Sequence, residues 1–136
     1  MITINLKGRE VPLIFTTWEM KEIQENIAPL GQAVNLILAK KDEKEPDNYG
    51  SPEHIKTVAT AVTILGNAGL EENGENPDLT EKKVMRAIKP LELPEIMNAC
   101  LDAMAEGMAS EIQEKKKTGP VDVVLEEIEK KKEQDG

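Results

Sequence analysis

Aromatic side chains are nearly missing from this chain: one Trp, one Tyr and one Phe among 136 residues. A core without rings must be built from Leu, Ile, Val, Met and Ala, which suits packed helices better than a large sheet. Cys100 is the sole cysteine, so no internal disulfide can form. His54 is the sole histidine, and no second His or Cys stands at metal-ligand spacing. Long apolar runs are absent too. The stretches free of charge, residues 26–39 and 57–70, are only 14 residues long, too short and too polar to cross a bilayer. The first residues, Ile-Thr-Ile-Asn after Met1, lack the basic-then-apolar order of an export signal, so a soluble cytosolic protein is expected. No glycine arrangement matches a phosphate-cradling or dinucleotide loop, and no cofactor is expected.

Acid is what the chain has in excess. Twenty-six acids against seventeen bases give a net charge of −9, which repels a nucleic-acid backbone and an anionic membrane surface. Neither is expected as a partner. With 39% hydrophobic residues, 136 residues can close one modest core. The expected division is a single domain over residues 1–118 and a short tail, amphipathic or disordered, over 119–136.

Ile2, Ile4 and Leu6 alternate with polar residues, and Val11, Leu13 and Phe15 alternate again after Lys7-Gly8-Arg9-Glu10. This spacing predicts a β-hairpin with one apolar face and a connection over residues 7–10. Pro12 has no N–H for a ladder and should stand at an edge or with its nitrogen facing solvent. Helical spacing follows. Thr16 and Glu19 have capping-box spacing ahead of Met20, Ile23, Ile27 and Leu30; Pro29 and Gly31 interrupt; Val34, Ile37 and Leu38 resume the stripe. Residues 40–52 are charged and rich in turn formers, so they should form a loop. Ser51-Pro52 then starts a helix whose stripe, Ile55, Val58, Ala59, Val62 and Leu65, is the cleanest in the chain and should be central. An Asn-Pro-Asp loop over residues 76–78 precedes a short helix, capped by Thr80 or Asp78, that carries Val84, Met85 and Ile88. Pro94 should start the longest helix, with Met97, Cys100, Leu101, Met104, Ala105, Met108 and Ile112 on one face, ended by Lys115 to Pro120. The fold class expected is mainly α: an N-terminal β-hairpin packed on a compact bundle of about five helices, α+β by strict count.

Candidate chemistry is scarce. His54 falls in the first turn of its helix and reads as a surface residue, the alternative being a general acid or base. Cys100, among Met97, Leu101 and Met104, reads as a small buried hydrophobe rather than a nucleophile. The acidic stretches 42–48 and 71–78 lack the regular ligand spacing of a calcium loop and read as solvated turns, so no metal is assigned. No catalytic residue is assigned, and an enzyme is not expected. Apolar side chains available to a partner are expected at Val121, Val124, Leu125 and Ile128, which share a face at helical spacing, aided by Met104 and Met108. Core packing is the competing reading for the methionines, and a frayed acidic tail is the competing reading for the last residues.

Two stretches are familiar when set together. Gly8-Arg9-Glu10-Val11 and Leu13-Ile14-Phe15, leading into a first helix, resemble the opening of tail assembly chaperones from long-tailed bacteriophages and prophages. Asn76-Pro77-Asp78-Leu79-Thr80-Glu81 looks like the same family's acidic loop and the start of its next helix. In one consistent order the resemblance spans residues 1 to about 112; the charged residues 40–52 and the tail after Gly119 have no counterpart in it. It implies a non-catalytic protein that binds the tape measure protein in the host cytoplasm, helps recruit tail tube subunits, and is absent from the mature virion. It also implies that Lys130-Lys131-Lys132 could be encoded at a frameshift site that yields a longer product. Acidic surface charge would leave only weak self-association. Two alternatives stand beside this: a structural tail completion or connector subunit, and a small acidic regulatory protein-binding module.

Overall fold

The computed structural model describes residues 1–39 and 48–109. Strands β1 (Ile2–Leu6) and β2 (Arg9–Leu13) pair antiparallel, with Ile2 opposite Leu13 and Leu6 opposite Arg9. Lys7 and Gly8 both take positive φ, 51° and 82°, which closes the hairpin in two residues with a twist that matches the strands. The connection is therefore shorter than the spacing suggested, and Arg9 and Glu10 belong to β2. The Asn5 side chain accepts the Gly8 N–H at 2.7 Å and holds the turn. Ile4, Leu6, Val11, Leu13 and Phe15 are buried, so one face of the hairpin covers the helices.

Five α-helices complete the described chain. They are α1 (Thr17–Asn26), α2 (Leu30–Leu38), α3 (Pro52–Glu72), α4 (Glu81–Ala87) and α5 (Leu93–Met108), with a 3-10 turn at Pro90–Glu92 leading into α5. Local signals start most of them. The Glu19 carboxylate accepts the Thr16 N–H at 2.9 Å ahead of α1, Ser51 accepts from the His54 N–H at 3.1 Å, and Thr80 accepts from the Lys83 N–H at 3.2 Å. Pro29 separates α1 from α2.

The longest helix among the described residues is α3 at 21 residues, against 16 for α5, contrary to the expectation for the helix at Pro94. Its length is upheld by packing, since Gly66 and Gly69 lie inside it and glycine alone weakens a helix. Helix α3 packs against β2, α1, α2, α4 and α5, and so forms the axis of the fold. Its contact with the hairpin is backbone against backbone. A Cβ on Gly69 would lie 1.8 Å from the Pro12 carbonyl oxygen, and one on Gly107 of α5 would lie 2.1 Å from the Phe15 carbonyl oxygen. Only glycine admits such an approach. The Ile14 N–H then donates to the Leu65 carbonyl at 3.1 Å, tying the end of β2 directly to α3.

Candidate functional site

The Asn-Pro-Asp loop between α3 and α4 is fixed from two sides. Asn67, on α3, accepts the Leu79 N–H at 2.9 Å and donates to the Leu79 carbonyl at 3.1 Å, so one side chain grips both backbone groups of the loop residue. From the hairpin, Arg9 Nη1 reaches Asp78 Oδ1 at 2.8 Å. Hydrogen bonding and charge from Arg9 hold the Asp78 carboxyl below its ordinary value. The Thr60 hydroxyl and Glu81 Oε1, 2.5 Å apart, bind the first turn of α4 to α3. These contacts set where α4 lies.

Beside the N-terminal half of α3 and the end of α4 lies an open apolar cleft. Tyr49, Gly50, Ile55, Val58, Ala59, Met85, Ile88, Pro90 and Leu93 line about 280 Å³. Helical spacing explains the lining: Ile55 and Ala59 lie one turn apart on α3, and Met85 and Ile88 lie three residues apart at the end of α4. Ile55 is 37% exposed, Met85 38% and Tyr49 49%, while Leu91 beside the cleft is 96% exposed. These large apolar side chains stand in water close together, and such patches mark interaction surfaces. Trp18 is exposed elsewhere, on α1, under Lys21 Nζ at 4.2 Å from the ring centre.

One wall of the cleft is braced by His54. Far from lying on the surface, as its place in the first turn suggested, His54 is buried. Its Nδ1 accepts the Gly50 N–H at 3.0 Å, so Nε2 carries the ring proton and donates to the Ile37 carbonyl near the end of α2 at 2.8 Å. The ring also faces Tyr49, 5.3 Å between centres. The imidazole thus joins α2, the turn before α3 and the cleft wall, with both nitrogens engaged by backbone. The overlooked signal is spacing: 54, 58, 61, 62 and 65 form one stripe, and the buried residues of α3 follow it.

Cys100 is fully buried, and burial pushes its thiol up to about 12, out of reach of nucleophilic chemistry at neutral pH. Met104 and Met108 are buried in the core of α5, so their expected role in contacting a partner is replaced by packing, the competing reading. Val121, Val124, Leu125 and Ile128 lie outside the described residues. Met85 and Ile88, which the sequence places on the short helix with Val84, line the cleft, because α4, at seven residues, buries only Val84 fully. No protein-family model matches this chain, and no curated protein or solved structure matches it significantly. No described helix is long and apolar enough to cross a membrane.

Proposed function

We propose that this protein is a tail assembly chaperone of a long-tailed bacteriophage or prophage, acting without catalysis in the host cytoplasm. It would bind the tape measure protein, keep that long helical chain soluble, and help recruit tail tube subunits. The observation that carries the reading is the open apolar cleft between α3 and α4, lined on both sides by helix-borne aliphatic side chains. An amphipathic helix presents apolar residues at intervals of three and four, which is the spacing such a cleft accepts. The element order agrees with the resemblance: hairpin, first helix, central helix, Asn-Pro-Asp loop and short helix follow one another as that family implies. The side chains best suited to chemistry are engaged elsewhere, His54 by two backbone groups and Cys100 by burial.

Co-expression with the tape measure protein encoded nearby, followed by co-purification and size exclusion with light scattering, tests the proposal. The expected result is a soluble complex with many copies of this chain per tape measure. An insoluble tape measure, with this chain eluting alone, would overturn it and direct attention to purified particles, where a structural subunit would be found.

A further inference from the structure

A second surface of α3, toward its C-terminal end, is acidic. Two adjoining hollows of about 460 and 220 Å³ run beside α1 and α3 and share Trp18, Glu19, Ala68 and Glu71; the larger adds Glu72 and the smaller Glu22. No base lines either one. Ile14 in the larger and Ile64 in the smaller supply apolar surface. From Thr63 to Glu72 the lining extends along α3 for about 14 Å, the reach of about four extended residues. This groove shares no lining residue with the apolar cleft.

Its carboxylates are short of partners. Glu19, which lines both hollows, is 7% exposed; its Oε1 accepts the Thr16 N–H and hydroxyl, and its Oε2 meets no hydrogen bond or ion pair among the described residues. A buried carboxylate oxygen without a donor is unfavourable. Glu71 and Glu72 end α3 at the negative terminus of the helix dipole, with no base in the last turn and no ion pair among the described residues. That placement works against the free chain, and a cation in the groove would relieve it. The ring beside them already holds one. Lys21 Nζ, paired with Glu22 at 3.5 Å and Glu25 at 3.3 Å, stands 4.2 Å from the centre of the Trp18 ring. The acids are strung out rather than gathered: among the described residues no three are grouped to hold a metal ion.

We propose that this groove takes a basic segment of a partner protein, with an arginine side chain laid against Trp18 and donating to Glu19 Oε2 and to the carboxylates of Glu71 and Glu72. Arginine suits the site because its planar fork donates to carboxylates while its face stacks on an indole. Its apolar stem covers surface such as that of Ile14. Acids spread over the length of the groove match a peptide segment better than a compact ion. The proposal makes no use of the partner's identity and stands whether or not the cleft binds the tape measure protein.

Trp18 is the only tryptophan, so its emission in the full chain reads the groove directly. The probe is an acetylated tetra-arginine amide. It is titrated into the parent, into Glu71→Gln with Glu72→Gln, and into Glu53→Gln with Glu95→Gln, an equal loss of charge at exposed acids that line neither hollow. The expected result is a saturable change of emission in the parent. The groove pair should raise the dissociation constant roughly fivefold or more, and the control pair by less than about twofold. The groove pair should also unfold at an equal or higher urea concentration than the parent, because two acids leave the negative end of α3. Spermine, of equal charge but without guanidinium groups, should bind roughly fivefold more weakly than the peptide. An emission that the peptide leaves unchanged, an equal loss in the two pairs, or spermine binding as well as the peptide would overturn the proposal. None of these outcomes bears on tape measure binding, which the co-expression assay reads separately.

Discussion

The two halves of α3 carry similar apolar stripes and end in different states. Around Leu65, Gly66 and Gly69 the helix meets the hairpin without space for a single added carbon. Around Ile55, Val58 and Ala59 it faces an open cleft. Side-chain size makes the difference. Glycines let one half close onto backbone, whereas Ile55 and the short α4 leave an open apolar cleft beside the other half. Apolar spacing along a helix therefore marks a surface to be covered, and the neighbouring element decides whether the fold itself covers it.

The closed half should break most easily. Gly69→Ala forces a methyl into the Pro12 carbonyl and is expected to cost about 3 kcal/mol or more, read as a lowered urea midpoint. An unchanged midpoint would mean that the hairpin does not rest on α3 as described. His54→Ala removes the ring between Gly50 and Ile37 and takes the donor away from a buried carbonyl. The expected cost is about 2–4 kcal/mol, with altered amide shifts at Tyr49 and Gly50 showing that the cleft wall has moved. Asn67→Ala frees both backbone groups of Leu79 and should cost about 1–2 kcal/mol, with faster amide exchange at Leu79 and in α4.

Acid should produce the smallest effect. Arg9 holds the Asp78 carboxyl below the ordinary aspartate value of 3.8, so this pair contributes stability above about pH 3.8 that is lost as pH falls through the lower folded value. In Asp78→Asn the stability at pH 7 falls slightly, and the difference from the parent shrinks as pH drops below 3.8. A difference that grows on acidification would contradict the pairing. Comparing urea melts at neutral and acid pH distinguishes the two.

Much of the fold was legible because its signals are local. Thr16, Ser51 and Thr80 stand directly before the helices they start, and the alternation of Ile2, Ile4 and Leu6 requires no knowledge of distant residues. The two-residue turn was less legible, since a positive φ at Lys7 is unusual for a side-chain-bearing residue. The cleft was illegible for a different reason. Met85 and Ile88 have the spacing of core residues, and only the placement of α4, set by Arg9, Asn67 and Asp78 from far along the chain, shows that they face an opening. His54 misled in the same way: its burial depends on α2 arriving from the other side.

The central claim is that the open cleft beside the N-terminal half of α3 is where a partner binds. The direct measurement compares Met85→Asp with the parent chain for capture of the tape measure protein on co-expression, together with the urea midpoint of each. Met85 is 38% exposed, so the account predicts a midpoint shift within about 0.5 kcal/mol of stability and a loss of capture of roughly tenfold or more. A folded Met85→Asp chain that captures the tape measure as well as the parent does would contradict it.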